Sequence, residues 1–154
     1  ESADKLRDIF KSTCKSPEVD DIRSEIYIKS INSFAFNTVA LDREFNNLQL
    51  SLDEYSKDCI RKIMVEGDQI LEILGIPIIQ SIEDRISQTL SSTKHTMSML
   101  NDYRNGQQVE LDYLWEGFNS FCKILKIDME FSKYIYEKVM DKICTRQSSA
   151  VLNK

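Results

Sequence analysis

The chain has 154 residues, of which 42% are hydrophobic, and a formal net charge of −5. This is the length of one ordinary domain, and the hydrophobic content is sufficient for a sizeable core. Lys and Arg are mixed among Asp and Glu, so the sequence offers no contiguous basic surface and argues against nucleic-acid binding. The longest apolar stretch, around Ile70 to Ile79, is interrupted by Glu72, Gly75 and Pro77 and is too short to span a bilayer.

The cysteines, the histidine and the helix-breaking residues limit the class of protein further. Four cysteines lie far apart and His95 is the single histidine, which argues against a zinc site. Unpaired thiols in a sequence without a signal peptide indicate a reducing, cytoplasmic environment. Because only four Gly and two Pro interrupt the chain, long helices are favoured over many short strands, and an all-α fold is expected.

The first predicted element is an amphipathic helix over residues 3–13, with its apolar side chains on one face. The segment from Cys14 to Val19 is short and contains a proline, so it is predicted to be a loop or a brief edge strand. Asp20 or Asp21 is a suitable N-cap for a long second helix that runs towards Leu41.

The next helix is predicted to start at Ser51, where Glu54 three residues later completes a capping box, and to end at Gly75. Further helices are predicted at residues 79–91, 94–104, 108–125 and 129–144, and the polar tail, 146–154, is expected to be frayed. Apolar side chains at helical spacing in this half are assigned to the core: Met97, Met99, Trp115, Phe118, Phe121, Cys122 and Met129.

A polar stripe on the second helix is the first candidate functional feature. Lys29, Asn32, Ser33 and Asn37 recur at helical steps and share one face, whereas apolar residues line much of the remaining circumference. A helix that is apolar on most sides is usually buried, and polar side chains buried there need partners. The stripe is therefore either a solvated surface or one wall of a binding site, and this helix alone leaves both interpretations open.

The run from Ser98 to Asp112 is the second candidate. It is typical of a helix end, a turn and a second helix start, because Gly106 can adopt the left-handed conformation that closes a helix at low cost. Glu110 then falls in a first turn, where negative charge suits the helix dipole. The arrangement holds a hydroxyl and a carboxylate at a fixed separation, although each residue taken singly is also explained by bonds within its own helix.

Both segments resemble a known family. The sequence Ser-Met-Leu-x-Asp, a Gly turn and Glu-x-Asp-Tyr-Leu span residues 98–114, and Asp-Ile-Arg-x-Glu-Ile-Tyr-x-Lys spans residues 21–29. They resemble the C-terminal domain of ketopantoate reductases (2-dehydropantoate 2-reductases). The resemblance covers about residues 3–143 and implies an all-α, multi-helix bundle like the 6-phosphogluconate dehydrogenase C-terminal-like domain. Residues 1–19 would be the end of an N-terminal Rossmann domain, and residues 20–145 the helical substrate-binding domain.

The resemblance also implies roles for five residues. Lys29 would be the general acid that meets negative charge on the ketone oxygen during reduction, and Glu110 would be a second catalytic residue that orients Lys29 or the substrate hydroxyl. Ser33, Asn37 and Ser98 would bind the substrate, whose carboxylate lies beside the ketone and whose hydroxyl lies farther along.

Three positions depart from the family pattern. Ser33 stands where the family has Asn, and it lacks the paired donor and acceptor of an amide. Asn32 beside it is a candidate substitute at a different angle on the helix. Thr38 stands where a Pro often follows the second Asn, and residues 126–131 lack the family turn Gly-Ile-Pro-x-Pro.

The four glycines cannot form the motif G-x-G-x-x-G that cradles a dinucleotide. The resemblance therefore implies that NADPH is bound by a missing N-terminal Rossmann domain, and that this chain alone binds no cofactor and is inactive. No metal is expected either, because the separated cysteines and the single histidine form no ligand set. Its expected partners are a small 2-oxo acid, the missing domain and a second copy in a homodimer, without a membrane. Two alternatives stay open: a related reductase of another 2-oxo acid, and a non-enzymatic helical module that dimerises through an apolar face.

Overall fold

The computed structural model of the chain describes residues 2–10, 19 and 21–152, with side chains for residues 4–10, 19 and 21–146. Within these ranges the chain forms eight helices and no strand, which confirms the predicted all-α class. They are α1 (Ser2–Phe10), α2 (Ile22–Arg43), α3 (Asn47–Leu52), α4 (Glu54–Ile73), α5 (Ile82–Leu90), α6 (Ser98–Arg104), α7 (Leu111–Leu125) and α8 (Glu130–Leu152). The end of the first predicted helix and the predicted loop or edge strand, except Val19, lie outside the described residues.

The long helix α2 lies at the centre of the molecule. All eight residues from Phe34 to Leu41 are buried, so this part of the helix is covered on every side. It packs against α4, α6, α7 and α8. A helix enclosed in this way can hold polar side chains in a fixed position, provided that they have hydrogen-bond partners.

Local capping fixes both ends of α2. Asp21 is the N-cap and its carboxylate accepts a hydrogen bond of 2.9 Å from the Arg23 backbone N–H, which confirms Asp21 as one of the two predicted caps. The helix continues to Arg43, just beyond the expected end near Leu41. Glu44 then adopts the left-handed conformation, with φ of 56°, and ends the helix without a glycine.

The predicted capping box at Ser51 and Glu54 is wrong. Ser51 lies inside α3, and its hydroxyl donates to the carbonyl of Leu48 at 2.8 Å. Asp53 caps α4 instead, because its carboxylate accepts from both the backbone N–H and the hydroxyl of Ser56, at 3.1 and 2.5 Å. A charged acceptor with two donors is a stronger cap than a serine hydroxyl two residues earlier.

Helix α3 itself was not predicted. Asn46 starts it with a complete capping box: the Asn46 side chain accepts from the Gln49 backbone N–H, and the Gln49 side chain accepts from the Asn46 backbone N–H, both at 3.0 Å. The six-residue length of this helix gives too short an apolar pattern to recognise.

The predicted helix end at Gly75 is confirmed. Gly75 has a φ of +64°, and the N–H groups of Gly75 and Ile76 donate to the carbonyls of Glu72 and Leu71 at 3.1 and 2.9 Å. These two bonds close α4 in the manner of a Schellman motif.

The remaining helices occur where they were predicted, with shifted ends. α5, α6 and α7 each begin a few residues later than expected, and α8 continues to Leu152, so the tail predicted to be frayed is helical as far as that residue. Among the residues described, no helix combines the length and the apolar character that a membrane crossing requires.

The residues assigned to the core pack as expected around α2. Trp115 stacks between two rings, with centroids 5.9 Å from Phe34 and 5.0 Å from Tyr136. Phe118 contacts Phe34 at 5.3 Å between centroids, so three helices, α2, α7 and α8, share one aromatic cluster. Met97, Met99, Cys122 and Met129 are buried as well.

Candidate functional site

Asn37 connects the two candidate segments. It lies on α2, is only 5% exposed, and its Nδ2 donates to the carbonyl of Ser33 one turn earlier at 2.8 Å. Its Oδ1 accepts a hydrogen bond of 3.3 Å from the backbone N–H of Met99 on α6. This bond joins residues 62 positions apart in the chain and brings the polar face of α2 to the start of α6.

Ser98 lies at the first position of α6, next to this contact. The side chains of Met97 and Met99 on either side are buried, whereas Ser98 is exposed. The buried side chains of Met97 and Met99 fix the backbone at Ser98, while the short Ser98 side chain stays at the surface. The hydroxyl of Ser98 is therefore presented to solvent, one residue before the Met99 amide that Asn37 binds.

Ser33 and Lys29 continue the same side of α2 towards its N-terminus. Ser33 is half-buried, and its Oγ lies 3.5 Å from Asn37 Nδ2. Lys29 is exposed, one turn before Ser33 and two turns before Asn37, a rise of about 12 Å along the helix from Lys29 to Asn37. The stripe is thus buried at Asn37 and solvated at Lys29, so only the Lys29 end of it is a solvated surface.

Glu110 is reached through the predicted glycine turn. Gly106 has a φ of +69°, and the N–H groups of Gly106 and Gln107 donate to the carbonyls of Tyr103 and Asp102 at 3.2 and 2.8 Å, which closes α6. Glu110 then occupies the N-cap position of α7, without a side-chain capping bond.

The carboxylate of Glu110 points away from the core. Glu110 is exposed between Val109 and Leu111, which are both buried. The two buried neighbours fix its backbone as Met97 and Met99 fix that of Ser98. Its oxygens are therefore accessible to solvent.

The structure brings some of the five predicted site residues together and leaves others apart. Ser33 and Asn37 are in contact, and Ser98 is adjacent to the Met99 amide that Asn37 holds. Within the described part of the chain, neither the Lys29 ammonium nor the Glu110 carboxylate forms a hydrogen bond or an ion pair with another protein group. Both side chains are exposed to solvent.

Two cavities lie away from these five residues. One of about 520 Å³ is lined by residues of α7 and α8, including Trp115, Cys122 and Glu137. A smaller one of about 140 Å³ is lined by residues of α2 and α7, including Tyr27, Tyr113 and Phe121. None of the five predicted site residues lines either of these two cavities.

The described residues include no group of three His, Cys, Asp or Glu side chains that could hold a metal ion. His95 is exposed, as expected for a surface residue.

Two contacts of charged side chains between helices were missed by the sequence analysis, one made by half-buried Glu66 and one by buried Asp68. Glu66 on α4 accepts from the backbone N–H groups of Phe131 and Ser132, both at 2.8 Å, and so caps the start of α8 from another helix. Asp68, also on α4, pairs with the fully buried guanidinium of Arg85 on α5. Burial of charged residues is visible only once the helices are packed, and no local motif marks either contact.

A family model supplies the identity. The model described as "Ketopantoate reductase PanE/ApbA C terminal" matches residues 21–143, which is most of the chain and includes every predicted site residue. The chain belongs to this family. The family membership confirms the resemblance of the two segments on α2 and α6–α7 to ketopantoate reductases.

Individual relatives agree with the family model. A 2-dehydropantoate 2-reductase of Mesorhizobium japonicum is 30% identical over 107 residues, which are 70% of this chain and 33% of that protein. A PanE/ApbA family ketopantoate reductase from Ralstonia eutropha JMP134 has a TM-score of 0.78 at 18% identity, covering 94% of this chain and 49% of the solved one. A dimeric ketopantoate reductase from Staphylococcus aureus has a TM-score of 0.70 at 14% identity, covering 94% and 52%.

These comparisons carry two different kinds of information. At identities below one fifth, the likeness to the two solved structures shows a shared fold. The chain spans one third of the curated relative and about half of each solved chain. It therefore corresponds to part of a ketopantoate reductase, and the activity of a whole enzyme is a matter for proposal.

Proposed function

We propose that this chain is the substrate-binding and catalytic helical part of an enzyme that reduces 2-dehydropantoate to pantoate with NADPH, on the route to pantothenate and coenzyme A. The strongest support is the hydrogen bond between Asn37 and the Met99 amide. It brings together the two segments in which the family resemblance is concentrated, so their polar residues can act on one small molecule.

Lys29 is proposed as the general acid. Reduction of a ketone adds hydride to the carbonyl carbon, and negative charge grows on the oxygen until a proton reaches it. An exposed ammonium with no ion-pair partner among the described residues is able to approach that oxygen and donate the proton. Lys29 lies on a helix whose following turns are enclosed by the core. Its backbone is therefore held in place, which limits the movement needed for the proton transfer.

Glu110 is proposed as the second catalytic residue. Its carboxylate would accept a hydrogen bond from the substrate hydroxyl or from the Lys29 ammonium, and so orient the group that it binds. Ser33, Asn37 and Ser98 are proposed to build the substrate-binding wall: the hydroxyls of Ser33 and Ser98 suit a carboxylate and a hydroxyl, and the Asn37 amide joins the two helices that carry them.

The residues present do not fit a dinucleotide. Gly67 and Gly117 lie within α4 and α7, whereas Gly75 and Gly106 follow the ends of α4 and α6. No strand precedes any of them within the described ranges, so a strand-to-helix glycine loop for the phosphates is lacking there. We assign NADPH binding to an N-terminal Rossmann domain outside this chain, and we expect the chain alone to be inactive.

The assembly and location of the enzyme are part of the same proposal. The Staphylococcus aureus relative is dimeric, and we propose a homodimer for the enzyme that contains this chain. We also propose that it works in the cytoplasm, where its small 2-oxo acid substrate would be made and used. Light scattering on the complete enzyme at two concentrations tests the dimer.

A reductase of a related 2-oxo acid is the second candidate. Ser33 favours it, because a hydroxyl at this position offers one donor where an amide would offer a paired donor and acceptor. A different substrate would then satisfy the shorter side chain.

A substrate panel with the complete enzyme separates these functions. Oxidation of NADPH is followed with 2-dehydropantoate and with 2-oxo acids that lack its hydroxyl. The proposal predicts the highest kcat/KM for 2-dehydropantoate. A preference for another 2-oxo acid would replace the substrate assignment, and a failure to oxidise NADPH with any of them would favour the helical dimerisation module.

A further inference from the structure

The amide of Asn37 is largely used within the protein. Its nitrogen donates to the Ser33 carbonyl on its own helix, and its oxygen accepts from Met99 on α6. With 5% of its surface exposed, it presents little area to a bound molecule. Asn37 therefore has few free atoms with which to bind a substrate directly, whereas the exposed hydroxyl of Ser98 is accessible.

The contact with Met99 supplies something that α6 lacks. Met97 occupies the N-cap position of α6 and forms no side-chain capping bond. The first N–H groups of a helix have no partner within it, and a polar N-cap side chain usually accepts from the second or third of them. Met99 is the second residue of α6, so Asn37 performs this capping role from a neighbouring helix.

The other end of α6 is also attached to α2. The guanidinium of Arg104 donates to the carbonyl of Glu44, the residue that ends α2, at 2.5 Å. Asn37 and Glu44 therefore hold the first and last turns of α6 along α2. Ser98 lies at the end that Asn37 holds, between the buried side chains of Met97 and Met99.

We propose that Asn37 is a positioning residue that acts through Ser98: by capping α6 at Met99, it fixes where the Ser98 hydroxyl meets the substrate. The inference rests on the proposed function, since it assigns Ser98 the direct contact and Asn37 the indirect one. It differs from a model in which both side chains bind substrate independently.

A double-mutant cycle distinguishes the two models. The KM for 2-dehydropantoate is measured for the complete enzyme and its Asn37→Ala, Ser98→Ala and doubly substituted variants. If Asn37 acts through Ser98, each single change raises KM by about tenfold and the double change raises it no further than the larger single effect. Independent contacts would multiply to about a hundredfold, and that result would overturn the proposal.

Asn37→Thr separates the capping bond from the bond along α2. A threonine hydroxyl can donate to the carbonyl one turn earlier, as neighbouring Thr38 does to Phe34 at 2.6 Å, but it lacks the reach to Met99. The proposal predicts that this variant behaves like Asn37→Ala in the cycle. A KM equal to that of the unaltered enzyme would contradict it.

Amide hydrogen exchange at Met99, in the complete enzyme without substrate, tests the contact apart from catalysis. Asn37→Ala and Asn37→Thr should each speed exchange by about two- to tenfold, and Asn101→Ala, an exposed change on the same helix, should leave it unaltered. Unchanged exchange in both Asn37 variants would overturn the positioning role. If the enzyme reduces no 2-oxo acid, the proposed function fails, and exchange still decides whether Asn37 caps α6.

Discussion

Gly67 on α4 lies directly against Ile31 on α2. A Cβ placed on Gly67 would be 2.9 Å from both Cγ1 and Cγ2 of Ile31, closer than nonbonded carbon atoms approach. Ile31 is 2% exposed and branched at Cβ, so it has little freedom to move aside. The two helices therefore cross at a distance that only glycine permits at this position.

Gly67→Ala is expected to destabilise the fold, although alanine favours a helix more than glycine does. Overpacking of a well-filled core typically costs about 1–3 kcal/mol, which outweighs the ~1 kcal/mol gained in helix propensity. The free energy of unfolding, from guanidinium denaturation, measures the difference.

Gly117→Ala is the matched control. Gly117 also lies within a helix, and a Cβ there would have no neighbour within 4 Å. We expect this substitution to raise the free energy of unfolding by up to about 1 kcal/mol. Equal effects of the two substitutions would show that the crossing at Ile31 is not tight.

The helix ends that the sequence predicted correctly are determined by residues close to them in the chain. Asp21 caps α2 through an N–H two positions away, and Gly75 closes α4 through carbonyls a few residues earlier. The error at Ser51 had the same local origin, because two candidate caps lie within three residues and Asp53 has the stronger set of donors. The local sequence identifies an N-cap clearly when it offers one candidate, but it does not decide between two candidates that lie this close together.

The features that the sequence missed depend on contacts between distant segments. Asn37 was recognised as a candidate site residue through family resemblance, but its bond to Met99 crosses 62 positions. Glu66 resembled any other charged residue of an amphipathic helix, and the start of α8 that it caps is 65 positions away. Such partners are set by how the helices pack, which periodicity alone does not specify.

Glu66→Ala is expected to weaken the start of α8. The carboxylate holds two backbone N–H groups and the Ser132 hydroxyl, and Ser132 is fully buried. Donors left buried without a partner cost about 1–3 kcal/mol. Urea denaturation should show a loss of this size, whereas Glu72→Ala, at an exposed position on the same helix, should change stability little. A loss at Glu66 no larger than that at Glu72 would argue against the capping role.

Glu44 should make stability depend on pH. The hydrogen bond from the Lys142 ammonium, at 2.7 Å, lowers the pKa of the Glu44 carboxyl from its ordinary value of 4.5. A carboxyl whose pKa is lower in the folded state stabilises the fold above the ordinary value, and this contribution is lost as the pH falls through the folded pKa. Because Glu44 is partly exposed, this contribution to the free energy of unfolding should be below about 1 kcal/mol.

The Glu44→Gln variant tests this dependence. It should be less stable than the unaltered protein at neutral pH, and the difference should shrink once the pH falls below 4.5 and vanish below the folded pKa. Unfolding is measured at a series of pH values. Glu25→Gln, an exposed change at the other end of α2, serves as the control, and a difference at Glu44 that stays constant with pH would contradict the account.

The kcat of the complete enzyme with Lys29→Ala most directly tests the assignment of this chain as the catalytic helical part of a reductase. Loss of a general acid should lower kcat for 2-dehydropantoate by about 10²- to 10⁴-fold. Lys29→Arg should restore little, because a guanidinium keeps the charge but does not release a proton readily. Lys123→Ala, an exposed lysine on α7, should leave kcat unaltered. A Lys29→Ala enzyme that turns over as fast as the Lys123→Ala control would contradict the assignment.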